Sequence, residues 1–256
     1  MVILTNKRFE ELVRRRVEEA KQEDQSRYEM ELLMKQANIA SLQSQINPHF
    51  LYNALECIRG QAVMDGSDDI ARITQALSRF FRYSISGKKD LVTVGEELEN
   101  AGNYVTIQQY RFRDKFVLES EVEEGVSVLD AVLPKLSLQP ILENAIVHGF
   151  ADMVRGGVLR IEARREGSEV VLRVSDNGKG MAVERLNQLI ETLHEAEGLP
   201  RESGSGHGTG IGIRNVDRRL KLLFGEAYGL SLESVEQVGT AVELIFPYMT
   251  ETSFHG

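Results

Sequence analysis

From Phe9 to Ser44 the chain contains neither proline nor glycine and is dense in Glu, Lys, Arg and Gln, which restricts that stretch to a long solvated helix. Leu32, Ile39, Leu42 and Ile46 keep a heptad-like seam along it, extended by Tyr28 and interrupted by Lys35. So polar a helix needs a partner to be stable, and a two-stranded coiled coil over residues 1–40 is expected in preference to a lone surface helix. The first breaker is Asn47-Pro48. Proline fixes φ and lacks a donor, so Pro48 belongs in a first helical turn with Asn47 as its cap, and a helix restarts there. At about 100° per residue, Ile46, Phe50, Leu51, Ala54, Cys57 and Ile58 fall on one arc, with His49, Asn53 and Glu56 beside it. His49 is therefore expected at the edge of a buried face, as an ordinary boundary histidine or as a nucleophile offered to a partner domain.

Met64-Asp65-Gly66-Ser67 reads as a helix stop, a turn and a new cap, after which Ile70, Ile73, Leu77, Phe80, Phe81 and Ser84 recur at helical spacing. Residues 41–90 thus form two antiparallel helices. Each has an apolar face that one partner leaves partly uncovered, so two copies are expected to pack as a four-helix bundle, a homodimer. Gly87-Lys88-Lys89-Asp90 breaks this pattern, and a connecting helix over 91–114 begins near Val94 and carries Leu98, Ala101, Tyr104, Val105 and Gln108.

From residue 115 the pattern changes. Phe116-Val117-Leu118 and Val126-Ser127-Val128 read as short strands, with Pro134 opening an apolar helix that runs through His148. Val158–Ala163 and Val170–Val174 alternate as half-buried strands joined by a turn at Glu166-Gly167-Ser168. A helix from Gly212 to Phe224 and strands around Leu230–Leu232 and Ala241–Phe246 complete the chain. The expected class is α+β: coiled coil and helical hairpin, then a two-layer α/β sandwich over 115–256 with helices on one face of its sheet.

Four segments of this second half suit a nucleotide. Asn144 and His148 lie four residues apart on one helix face, and an amide oxygen from Asn144 can complete the shell of a magnesium ion that otherwise keeps waters and phosphate oxygens; the plainer reading is a buried amide. Asp176-Asn177-Gly178-Lys179-Gly180 comes directly after a strand, so an ionised Asp176 can accept from an adenine amino group while Gly178 and Gly180 let the backbone approach the ring. The same five residues also make an ordinary turn. Gly208-Thr209-Gly210-Ile211-Gly212 precedes a helix and offers amide donors to phosphate, but no strand stands before it, which excludes a dinucleotide-binding fingerprint. Thr240, entering the last strand, can place a hydroxyl near the base.

Thirty basic against thirty-nine acidic residues give a formal charge of −9, which argues against nucleic acid as the main partner. The single cysteine, Cys57, excludes an internal disulfide and fits a cytoplasmic setting. No apolar run approaches the roughly eighteen residues a bilayer requires, so any membrane link is expected through a segment upstream, for which the apolar stub before Lys7 and Arg8 would be the tail.

The run Ile46-Asn47-Pro48-His49-Phe50-Leu51-Tyr52-Asn53, succeeded in order by the Asn144 helix, DNGKG, GTGIG and Val238-Gly239-Thr240, resembles the sensor histidine kinases of the LytS/YesM type and the N, G1, G2 and G3 boxes of the GHKL ATP-binding superfamily. The resemblance covers about Ser41 to Tyr248. It implies a GHKL (Bergerat) fold, ATP and Mg2+ as cofactors, His49 as phosphate acceptor, a dimerising hairpin, and a response-regulator receiver domain as partner. It also implies that Met181 to His207 forms a lid over the phosphates, although Leu186, Leu189, Ile190 and Leu193 would equally make a packed surface helix.

This sequence departs from the wider pattern at three places. Pro140 stands where ATP-hydrolysing relatives have a glutamate, which favours transfer to a side chain over hydrolysis. Val147 stands where many histidine kinases have a lysine, leaving His148 or Lys179 as the substitute. Phe50 replaces the acidic residue that often comes after the histidine; Asn53, one turn on, can orient the imidazole, whereas Glu56 is roughly 10 Å along the axis. Two other functions compete: a serine/threonine kinase or ATPase with His49 structural, and a coiled-coil interaction module whose nucleotide site only regulates packing.

Overall fold

The structure is a computed structural model that describes residues 48–85, 89–113, 115–123, 128–194 and 211–254 of the 256-residue chain. The expected coiled coil, the Asn47 cap, and Gly208, Thr209 and Gly210 lie outside the described residues. Two compact units divide the chain, Met1–Leu51 and Tyr52–Gly256.

Pro48 is the first residue of helix α1 (Pro48–Met64), as its missing donor dictates. Helix α2 (Asp68–Ile85) comes after a turn in which Gly66 takes φ 68 and the amides of Asp65 and Ser67 donate back to Gln61 and Ala62. The Tyr52 hydroxyl donates to the Phe81 carbonyl at 3.4 Å and the Arg82 guanidinium covers the Tyr52 ring. Tyr52 thereby meets the end of α2, making an antiparallel hairpin.

The burial of α1 departs from the sequence reading. Leu55 and Ala62 are buried, while Phe50, Cys57 and Ile58, on the expected apolar arc, are exposed. A single partner helix covers one side, and the arc is the other side. In α2 the buried positions are the small Thr74, Ala76 and Ser78, and Ile70 is exposed. Thr74 returns its hydroxyl to the Ile70 carbonyl at 2.6 Å, which is how a polar residue fits there.

Strand β1 (Leu91–Thr93) leads into α3 (Val94–Phe112) through a reciprocal cap: Thr93 Oγ1 accepts the Glu96 amide at 3.1 Å and Glu96 accepts the Thr93 amide at 2.9 Å. Phe80 of α2 packs on Tyr104 of α3 with ring centroids 5.8 Å apart. After β2 (Phe116–Val122), Val128 opens a 3-10 turn, Val128–Asp130, instead of lying in a strand. Pro134 does not start a helix. It ends β3 (Val132–Pro134), which pairs antiparallel with β1, and the proline that opens the next helix, α4 (Gln139–Asn144), is Pro140. The preference of proline for a first helical turn holds here at a different proline. A π-helical turn, Ala145–Gly149, continues α4 and closes with the Phe150 amide on the Ala145 carbonyl at 2.9 Å.

The remaining strands, β4 (Gly157–Glu166), β5 (Glu169–Asp176), β6 (Gly229–Val235) and β7 (Gly239–Pro247), form a sheet with β2 in the order β2-β4-β5-β7-β6. Only the β2–β4 pair is parallel. Register puts Ile161, Val174 and Val242 in one row and Ala163, Leu172 and Leu244 in the next, all buried. Residues of α3, α4, α5 (Val183–His194) and α6 (Ile211–Phe224) complete this core. The alternate face is charged: Glu162, Arg173 and Glu243 are cross-strand neighbours, with Arg173 to Glu243 at 2.8 Å and Arg160 to Glu119 at 2.7 Å. The two-layer α+β architecture is therefore as the patterning requires. A short α7 (Glu251–Phe254) ends the described chain.

Candidate nucleotide-binding site

A cavity of about 410 Å³ lies between the Asn144 helix, the end of β5, α5 and β7, and it brings together residues drawn from three of the four sequence segments. Asn144, His148, Asp176, Lys179, Gly180 and Thr240 all line it.

Asp176 is the last residue of β5, opposite Thr240 in register. Burial pushes its carboxyl above the usual carboxylate range, while the backbone amides of Gly178 and Thr240 pull the other way; the Gly178 amide is 2.8 Å from Oδ1. A partly buried acceptor beside open space suits a ligand donor such as an exocyclic amine. Room for it depends on two glycines. A Cβ at Gly149 would stand 2.9 Å from Asp176 Oδ1, and one at Gly178 would run into the Gly149 carbonyl and lie 2.7 Å from the same oxygen. Gly180 takes φ 61, and the Lys179 carbonyl accepts the Gln237 amide at 2.7 Å, which ties this loop to the β6–β7 turn.

Gly178→Ala is expected to displace the Gly149 carbonyl and the Asp176 carboxylate, lowering stability by about 1–3 kcal/mol and ligand affinity with it. Thermal unfolding and titration calorimetry check this. An unchanged unfolding midpoint would mean that the turn relaxes freely.

Asn144 donates Nδ2 to the Pro140 carbonyl at 2.8 Å, which leaves its amide oxygen as the atom for a ligand or metal. His148 sits one turn on, within the π-helical stretch. Among the described residues no group of three His, Cys, Asp or Glu side chains is arranged to hold a metal. A magnesium ion held largely by phosphates would need only one protein oxygen. Lys179 points its ammonium to Asp152 at 3.3 Å on the surface. Val147, in the place of the expected lysine, is 41 % exposed. Thr240 Oγ1 is 2.9 Å from Ser234 Oγ, which also accepts the Met181 amide, so the hydroxyl is oriented within the protein. Gly212 stands at the start of α6 against Pro140, and a Cβ there would be 3.1 Å from the proline ring. His49 and Asn53 are exposed on α1, one turn apart.

Sequence reading misses Gly149, Ser234, Arg185 and Gln237. Gly149 directly succeeds His148 in the same motif and is legible there. Ser234, Arg185 and Gln237 carry no motif and reach the site only through the fold.

A family model described as histidine kinase matches residues 37–116, and one described as histidine kinase-, DNA gyrase B- and HSP90-like ATPase matches residues 130–250. Sensor histidine kinase YesM of Bacillus subtilis is 35% identical over 223 residues, 87% of this chain and 35% of that protein. Sensor protein LytS of Staphylococcus haemolyticus is 32% identical over 219 residues, 85% of this chain and 35% of that protein. The chain belongs to the LytS/YesM-type sensor histidine kinases. It spans about a third of the length of those relatives. The histidine kinase domain of the Erythrobacter litoralis blue-light activated kinase covers 82% of the chain at 16% identity with a TM-score of 0.43, too loose a likeness for residue-level comparison. The matched ATPase segment contains every described residue lining the cavity.

Proposed function

We propose that this chain is the kinase core of a two-component sensor: ATP occupies the 410 Å³ cavity, its terminal phosphoryl group passes to His49, and then to an aspartate of a response-regulator receiver domain. The observation that carries this is the partly buried Asp176 carboxylate at the end of β5, which lines the cavity and against which Gly149 and Gly178 pack with no room for a side chain, in a chain that also has the His49 motif. Asp176 accepts from the adenine amine, Gly178 and Gly180 admit the ring, and Thr240 lies beside them. His148 or Lys179 stands in for the missing lysine toward phosphate, with Gly208, Thr209, Gly210 and Gly212 supplying amide donors. Asn144 holds Mg2+, which when bound neutralises phosphate charge. On α1, Asn53 accepts a hydrogen bond from Nδ1–H of His49, so that Nε2 keeps its lone pair for in-line attack. Pro140, at the position of a hydrolytic glutamate, leaves no base for water there.

The proposed organisation is a coiled coil over 1–40, the histidine hairpin over 41–90, a connecting segment over 91–114, in which β1 precedes helix α3 where the sequence suggests helix alone, and the ATP-binding domain over 115–256. The exposed Phe50, Cys57 and Ile58 of α1 support a homodimer built on that face, in which His49 would be a phosphoprotein site. No described helix is long and apolar enough to cross a membrane, and we place the chain on the cytoplasmic side of a sensor whose anchor lies upstream.

Incubation with γ-labelled ATP and magnesium tests the reading. An acid-labile, base-stable label on the protein is expected; free phosphate or an acid-stable label would assign a serine/threonine kinase or ATPase instead. Asn144→Ala should lose magnesium-dependent label by about 10²-fold or more while ATP affinity without metal changes little. Equal loss of both would point to misfolding.

A further inference from the structure

Glu97 is fully buried on α3, and its carboxylate is where three elements meet. Oε2 accepts the hydroxyl of Tyr83, from the last turn of α2, and the amide of Leu136; Oε1 accepts the amide of Leu138 at 2.9 Å. Leu138 is the cap residue of α4, and Asn144 is that helix's last residue. Between the two amides Leu136 takes φ 61, a left-handed conformation that leucine rarely adopts. The neighbouring Lys135 sets its ammonium 5.0 Å from the Tyr83 ring centroid, and its carbonyl accepts from Arg219 of α6. Loop 135–138 is thus held by α2, α3 and α6 together.

Two features separate this arrangement from a simple cap. Burial pushes the Glu97 carboxyl up and Tyr83 with the loop amides pulls it back, so the group is a strong acceptor only while all its donors are present. A carboxylate that served the loop alone would need only the two amides. The Tyr83 bond adds a tie to the hairpin helix. Neither Tyr83 nor Glu97 lines the nucleotide cavity.

We propose that Glu97 and Tyr83 are positioning residues for Asn144: the carboxylate passes the seating of hairpin helix α2 to the start of α4, and so to the amide that holds magnesium. This rests on the cavity being the metal–ATP site. Coupling of this kind is reciprocal, so metal-bound ATP also tightens the loop.

The test uses the whole 256-residue chain. Tyr83→Phe removes one hydroxyl and is expected to leave the ATP affinity in EDTA within about twofold of wild type, while raising the magnesium concentration for half-maximal label at least about fivefold. Glu97→Gln keeps an acceptor oxygen but loses the charge, and should shift the magnesium requirement in the same direction. Unchanged magnesium dependence in Tyr83→Phe, or equal loss of metal-free and metal-dependent binding, would overturn the proposal. Amide exchange needs no variant: in wild type, ATP with magnesium should slow exchange at Leu136 and Leu138 more than ATP in EDTA, and equal protection would also overturn it. Wild-type protein without magnesium-dependent ATP binding would overturn the reading of the cavity itself, whereas a magnesium-responsive wild type beside a Tyr83→Phe protein with the same magnesium dependence defeats the positioning role alone.

Discussion

His49→Gln is expected to remove all acid-labile label from the protein while ATP binding stays within about a few-fold of wild type. His49 is exposed in the first turn of α1 and outside the hydrophobic core, and an exposed substitution of this kind changes stability by only about 0.5 kcal/mol. What disappears is the acceptor nitrogen. Label retained by the variant would show that another side chain takes the phosphate. Glu56 is not expected to take over activation of the imidazole. It lies seven residues along the helix, and its carboxylate is paired with Arg59 at 2.8 Å. Glu56→Gln is therefore a near-silent control.

Asp176→Asn is expected to weaken ATP binding by about 1–3 kcal/mol, because a charged acceptor is replaced by an amide that presents a donor on one side. The same change should not destabilise the empty protein at neutral pH. Burial raises the Asp176 carboxyl above its unfolded value, so the folded state holds the proton more tightly. Its contribution to stability is greatest below the unfolded pKa and is lost as pH rises through the folded one. At neutral pH the ionised form is thus a burden on the unliganded fold, and asparagine removes it. Unfolding midpoints with and without saturating ATP separate the two effects: the variant should equal or exceed wild type without nucleotide and fall below it with nucleotide. Wild-type affinity should in turn begin to decline on acidification above the range in which an ordinary aspartate titrates. Unchanged affinity in Asp176→Asn would move the base elsewhere.

How much the sequence discloses depends on whether a feature is local. Alternation sets the β4–β5 hairpin and its Gly167 turn, and proline chemistry sets the start of α1, because each depends on neighbours a few residues away. Pro134 is misplaced from sequence because a proline at a strand end and one at a helix start look alike until β1 is seen pairing with β3, about forty residues further along the chain. The apolar arc of α1 reads as a buried face, yet in the single chain its Phe50, Cys57 and Ile58 are exposed, since periodicity finds a face and not what covers it. In the candidate site, Asn144, Asp176 and the glycines are legible from motif spacing. Glu97 is not: a glutamate in the first turn of a helix usually serves the helix terminus in solvent, and only the fold places it under Leu136 and Leu138.

The turn from Ala145 to Gly149 closes over five residues where an α-helix closes over four. Its function therefore depends on counting. A substitution at Val147, which is exposed, leaves the count intact. Deleting any one residue would let the helix run on regularly and rotate the residues beyond the deletion by about 100°. Gly149, whose bare α-carbon makes room for Asp176 and whose carbonyl receives the Lys179 amide, would then be replaced at that point by Phe150. This side of the candidate nucleotide cavity thus depends on the number of residues in the stretch as well as on their identity, and loss of one residue here is expected to obstruct it.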